Sequence, residues 1–183
     1  SPYSLYQFLI NLDDTEAHNF ALFFSLENKA TIEKLLAGHE ESPSLRILQR
    51  HIAKEMTILL HGEEACAKAI AASEALFSGD VGAIDADMIG DVFADVPTTE
   101  IPITTLDGEG LDIVQLLVTV KLASSKRQAR EHLGNRAVLL NGSKTDPDDR
   151  LTRTDLLHGS VVLVRRGKKE WRMARFVDTD RSA

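Results

Sequence analysis

Cysteine is nearly missing from this chain. Its 183 residues hold one, Cys66, so no internal disulfide can form, and the composition suits a reducing cytoplasm. No apolar run approaches the ~20 residues that a membrane span requires, so a membrane is not an expected partner. No signal-peptide pattern is visible. Internal repeats and low-complexity tracts are absent, as is any period-two alternation within residues 1–95, which excludes strands from that half. The histidines (His18, His39, His51, His61, His132 and His158) stand at no metal-binding spacing with one another or with Cys66, so no metal site is expected. The paired carboxylates Glu40-Glu41, Glu63-Glu64 and Asp148-Asp149 fall at helix starts or turns and read as caps. No nucleophile–base constellation is present, and no catalytic residue is assigned.

What is present is an ordinary globular balance, 43% hydrophobic and 27% charged, with a net charge of −7. That net value conceals two different halves. Residues 1–100 carry 6 Lys/Arg against 17 Asp/Glu, or −11; residues 101–183 carry 15 against 11, or +4. A basic module within an acidic protein points to an anionic partner, of which nucleic acid is the commonest.

The acidic half reads as helices throughout. YSLYQFLIN (3–11) and TEAHNFALFFSL (15–26) are apolar at helical spacing, with Asp13-Asp14 as the turn between them. NKATIEKLLAGH (28–39), SLRILQRHIAKEMTILLHG (44–62) and EEACAKAIAASEALFSGD (63–80) follow, and one more short helix fits near 85–94. Leu45, Leu48, Ile52, Met56 and Leu59 form one stripe, and Cys66 reads as a small buried hydrophobe. Pro97 and TTLDGEG (104–110) read as linker or loop. The pattern then changes to two helices, 110–123 and 125–134, a strand and turn in RAVLLNG (136–142), a turn at DPDD (146–149), and a hairpin over 160–177 turning at Gly167. The expected fold class is α+β: an all-α bundle over residues 1–98, then, over residues 99–183, two helices on a short antiparallel sheet.

Two basic groups stand out. Ser125-Lys126-Arg127-Gln128 fits a capping box and starts a helix at Lys126. At 100° per residue, Lys126, Arg127 and Arg130 then share one sector of about 100°. Cations are unfavourable at a helix N-terminus, whose free N–H groups already carry partial positive charge, and a phosphate bound there would meet both kinds of donor. The second group, Arg165-Arg166-Gly167-Lys168-Lys169, crowds four cations on one tight turn, with Trp171, Arg172 and Arg175 following.

These stretches resemble a known family. SSKRQARE…AVLLNG is similar to an RNA-binding domain shared by a small-subunit ribosomal protein, some pseudouridine synthases and bacterial tyrosyl-tRNA synthetases. The synthetases are also matched, in order, by SPYSLYQFLIN (1–11), HGEEACAKAIAASEALFSGD (61–80) and RRGKKEWRMARF (165–176). Leu9 stands where that family often has Trp, and His132-Leu133-Gly134 where it is more polar. The resemblance implies the C-terminal half of such an enzyme, a class I tyrosine–tRNA ligase: a helical anticodon-binding domain, 1–98, then the basic RNA-binding domain, 99–183. It implies a fragment excised just after the catalytic KMSKS loop, with no cofactor and no activity of its own. The full enzyme would use ATP with Mg, work in the cytoplasm and dimerise through its catalytic domain; the fragment would be monomeric. The expected partner is a tyrosine tRNA with a long variable arm.

The family's tRNA-contacting cations fall on Arg127, Arg130, Arg165, Arg166, Lys168 and Lys169, and Lys126 joins them by position. Asn11, Asp13 and Asp14 close the first helical hairpin, where this family faces the anticodon. Asp14 is either the acceptor that reads a wobble guanine or simply the N-cap of the helix at 15. Two decoys are set aside. His132-Leu133-Gly134-Asn135 imitates the HIGH motif and Lys121–Lys126 imitates KMSKS, but their order is reversed and no βαβ pattern surrounds them. The competing expectations are a free-standing structured-RNA-binding protein with a helical partner-binding domain, and a metabolic enzyme with an unrecognised site.

Overall fold

The computed structural model describes residues 1–167 and 170–178. The chain divides into two compact units, Ser1–Ser78 with Ala83–Val92, and Gly79–Gly82 with everything from Phe93 onward.

The first unit contains α1 (Pro2–Ile10), α2 (Asp14–Phe24), α3 (Lys29–Glu41), α4 (Ile47–His61), α5 (Glu63–Ser78) and α6 (Ala86–Val92). Local side chains cap the first three: Ser1 accepts from the Ser4 N–H, Asn28 from the Thr31 N–H, and Asp13 forms a reciprocal box with Glu16. α1 packs against α4 and α5, and α4 also receives α2 and α3. Tyr6, Leu9, Leu48, Ile52 and Met56 fill this core beside Cys66, Ala69 and Ala72 of α5. Burial there raises the Cys66 thiol pKa, as expected for a cysteine serving as a small hydrophobe. The expected α4 stripe is shorter than its sequence pattern. Leu45 and Leu59 are 58% and 54% exposed. Leu45 sits in the 3-10 turn Pro43–Leu45, and Arg46 then turns left-handed (φ 52°), breaking the helical phase before α4 begins.

The second unit is α+β. Its sheet runs β1 (Thr98–Pro102), β7 (Glu170–Val177), β6 (Val161–Arg166), β3 (Val138–Leu140), β4 (Ser143–Lys144) in spatial order. β6 pairs antiparallel with both β7 and β3, so the expected hairpin over 160–177 forms. Residues 98–102, which lie between Pro97 and the 104–110 stretch read as linker or loop, form the unannounced strand β1 and pair parallel with β7. The sheet is therefore mixed at that edge. The expected helix over 110–123 is confined to α7 (Ile113–Thr119), because Leu111–Asp112 forms β2 and pairs with β5 (Arg150–Leu151). α8 (Lys126–Gly134) lies with α7 over one sheet face, where Leu116, Leu117, Ala129 and Leu133 meet Val138, Val162, Val164 and Phe176 in one buried cluster.

One turn holds this unit in register. Asn141 (φ 48°) and Gly142 (φ 87°) make the two-residue turn between β3 and β4, both with the positive φ of a type I′ hairpin. Gly142 lies against the backbone of Gly79: a Cβ there would fall 2.2 Å from the Gly79 carbonyl oxygen. Asn141 ties its own turn inward, donating Nδ2 to the Asp155 carbonyl (2.7 Å) and accepting the Leu163 N–H (2.9 Å).

Candidate nucleic-acid interface

α8 begins at the expected residue. The Ser125 hydroxyl accepts the Gln128 N–H at 3.3 Å. The return bond of the box goes one residue further back than expected: Gln128 Oε1 accepts from the N–H and hydroxyl of Ser124 (2.6 and 2.8 Å). Lys126, Arg127 and Arg130 are all exposed, while Ala129 and Leu133 are buried. Among the described residues, the ion pairs of this unit engage Arg150, Arg153, Arg166 and Arg172, and none engages the three α8 cations. No described carboxylate compensates their charge, which stands beside a helix N-terminus of the same sign.

The second basic group is not one patch. Strand alternation sends Arg165 and Arg166 to opposite faces of β6. Arg166 is paired within the protein. Its Nη2 pairs with Glu170 Oε2, its Nε donates to the same oxygen at 2.7 Å, and its Nη1 donates to His132 Nε2 on α8 at 2.7 Å. Glu170 also takes Arg172 at 3.3 Å. On the helical wheel His132 leaves α8 on the flank opposite Lys126 and Arg130, so Arg166 lies across the helix from those cations. Arg165 instead stacks its guanidinium 5.0 Å from the Trp171 ring centre, and Trp171 packs 5.4 Å from Phe93. Lys168 and Lys169 lie outside the described residues. Sequence reading passed over Arg136, an exposed cation held left-handed (φ 51°) between α8 and β3. Its neighbour Ala137 accepts the N–H of Gly167, which sets Arg136 beside the β6–β7 turn. The signal was the Gly134-Asn135 pair ending α8.

In the helical unit, the three hairpin candidates have different duties. Asn11 caps α1 by donating Nδ2 to the Gln7 carbonyl (2.7 Å), and Asp13, not Asp14, is the N-cap of α2. Asp14 is the first residue of α2. Its Oδ1 accepts from Gln49 Nε2 (2.9 Å) and His39 Nε2 (3.0 Å), yet its side chain stays 60% exposed. The Gln49 hydrogen bond foremost, then His39, holds the Asp14 carboxyl below its ordinary pKa. No group of three or more His, Cys, Asp or Glu among the described residues is placed to hold a metal ion, and no described helix is long and apolar enough to cross a membrane.

Comparison with known proteins places both units in one context. A family described as tRNA synthetases class I (W and Y) matches residues 1–78, and one described as the tyrosine–tRNA ligase SYY-like C-terminal domain matches residues 89–174. Tyrosine–tRNA ligase 2 of Enterococcus faecalis is 42% identical over 96% of the chain, and tyrosine–tRNA ligase 1 of Bacillus licheniformis is 40% identical over 93%. A solution structure of a tyrosyl-tRNA synthetase C-terminal domain is 36% identical, covering 55% of this chain and 98% of its own, with a TM-score of 0.43. The chain spans about 41% and 40% of the length of the two ligases.

Proposed function

We propose that this chain, which belongs to the tyrosine–tRNA ligase family, supplies the tRNA recognition of an enzyme that joins tyrosine to its tRNA in the cytoplasm. ATP, with Mg, is the energy source of that reaction and is cleaved to AMP and pyrophosphate. The adenylate-forming chemistry would belong to a Rossmann-type catalytic domain, through which the enzyme would also dimerise. The basic part, residues 99–183, would lie against the RNA backbone between the anticodon stem and a long variable arm. The helical part, residues 1–98, would approach the anticodon through Asn11, Asp13 and Asp14.

The observation that carries this proposal is the first turn of α8. Three exposed cations without carboxylate partners among the described residues sit beside the N–H groups of a helix start, an arrangement unfavourable alone and complementary to phosphate. Arg165 and the two lysines at 168 and 169 would extend the contact, and Arg166 would support the β6–β7 turn through Glu170. Phosphate contacts give affinity and position without reading sequence, while base contacts specify. An acidic helical unit can therefore read bases only when the basic one has first drawn the tRNA in.

The test is titration of the chain with a tyrosine tRNA transcript at several salt concentrations. Contacts to ~4–6 phosphates give a log–log slope of roughly −3 to −5. Replacing Arg127 and Arg130 by Ala should weaken binding and flatten the slope by about 1.4–1.8. Arg166→Ala should leave it almost unchanged. A double variant that keeps both affinity and slope refutes the proposal.

A further inference from the structure

The turn between α1 and α2 is gripped from outside. Arg46 sends Nη2 to the carbonyls of Ile10 and Leu12, each at 2.8 Å. Gln49, wholly buried on α4, donates Nε2 to Asp14 Oδ1 and, at 3.4 Å, to the Leu12 carbonyl. His39, 6% exposed on α3, brings its Nε2 to that same Oδ1. Asn11 and Asp13 spend their side chains on backbone within four residues, whereas Asp14 is held by side chains 25 and 35 residues away.

This grip is expensive. Gln49 Oε1 and His39 Nδ1 are buried without a hydrogen-bond partner among the described residues. An unsatisfied buried polar atom forfeits its hydration, so stability alone would favour apolar side chains at both positions. The two residues do share one result: each directs an N–H at one oxygen of Asp14. A carboxylate oxygen only accepts, so His39 Nε2 is the donor of its bond to Asp14. Two hydrogen bonds to Oδ1 resist rotation of the carboxylate, and Oδ2 receives no bond from a described side chain.

We propose that His39 and Gln49 are positioning residues for base recognition, pinning Oδ1 of Asp14 so that Oδ2 stands as a fixed acceptor for the Watson–Crick edge of a wobble guanine. This rests on the proposed anticodon role of Asp14. Guanine offers N1–H and N2–H donors on that edge, whereas adenine has a lone pair at N1 and its donor at N6. A rigid acceptor penalises adenine; a mobile one swings away and does not.

The experiment measures the ratio of dissociation constants for transcripts with adenine and with guanine at the wobble position, using the 183-residue chain. Asp14→Ala is the reference. If it leaves the ratio unchanged, Asp14 does not read the base and the proposal falls with its premise. If it abolishes discrimination, His39→Leu should lower the ratio at least about five-fold, with the salt slope of binding intact and the melting temperature equal to or above that of the parent. His39→Gln, which returns a donor near the Nε2 position, should restore the ratio to within about two-fold of the parent. Gln49→Leu gives the same reading from the other donor should His39→Leu fail to fold. Full discrimination in both leucine variants, or a glutamine variant no better than leucine, overturns the proposal while leaving the Asp14 contact standing.

Discussion

Replacing Gly142 by Ala tests whether the β3–β4 turn must touch the Gly79 backbone. Two separate costs apply. Gly142 has φ 87°, and a side chain held at positive φ costs about 1–2 kcal/mol. The added Cβ would also lie 2.2 Å from the Gly79 oxygen and 3.4 Å from its carbon. A relaxed carbon–oxygen contact needs about 3.3 Å, so one backbone must retreat by roughly 1 Å. Neither partner is a flexible side-chain end, and such overfilling costs about 1–3 kcal/mol. The expected total is about 2–5 kcal/mol. Gly108→Ala is the control: its φ is 68°, but nothing lies within 4 Å of the new Cβ, so it carries the conformational cost alone. Urea unfolding followed by fluorescence of Trp171, the single tryptophan, reports on this unit, because its ring rests against Phe93. Gly142→Ala should lower the midpoint beyond Gly108→Ala by roughly 1 M urea. Equal midpoints would refute the close approach as a determinant of this fold.

Two further outcomes follow from the same unit. Asp149 accepts the Thr145 hydroxyl at 2.9 Å and the Asp146 N–H at 2.7 Å, and these bonds, the backbone one foremost, hold its carboxyl below the ordinary range. A depressed native pKa gives stability that is complete above the unfolded value near 3.9 and lost as pH falls through the native one. Asp149 is exposed, so solvent screening weakens these bonds: Asp149→Ala should cost no more than about 1 kcal/mol at pH 7, and urea melts should show the gap closing below about pH 4; a constant gap at pH 3 would contradict this. Val81 and Phe93, 0% and 3% exposed, belong to the compact unit of the sheet. A chain of residues 99–183 should thus melt well below one of residues 79–183 by circular dichroism, and identical melting temperatures would show that the earlier segment contributes nothing.

Much of this fold is visible in the sequence because the signals are local. The start of α8 follows from Ser125 and the turn at 141–142 from Asn-Gly. The β6–β7 hairpin follows from an apolar run that changes to charge at Arg165 and turns at Gly167. What escaped depends on partners far along the chain. Thr98–Pro102 has no alternation, follows one proline and ends on another, and becomes β1 only because the edge of β7, more than 70 residues later, is open to it. Leu111–Asp112 likewise leaves the expected helix because Leu151 and Arg150 capture it. Leu45 continues an apolar stripe in one dimension, and a single left-handed residue, Arg46, takes it out of the core.

The same distinction governs the candidate interface. Counting cations in Arg165-Arg166-Gly167-Lys168-Lys169 treats charge as additive, but adjacent strand residues face opposite ways. Arg166 meets Glu170, four positions on and directly across the hairpin, and that pairing spends its charge inside the protein. On α8 the spacing is helical, so Lys126, Arg127 and Arg130 stay together, and no carboxylate among the described residues pairs with them. An arginine is a candidate for phosphate only to the extent that its own fold leaves it unpaired. By that criterion the α8 cations and Arg136 outrank Arg166, although Arg166 belongs to the denser cluster in sequence. The acidic half shows the converse. Asp14 looks like any helix-start aspartate, and only the convergence of His39 and Gln49 from two other helices distinguishes it from Asp13 beside it.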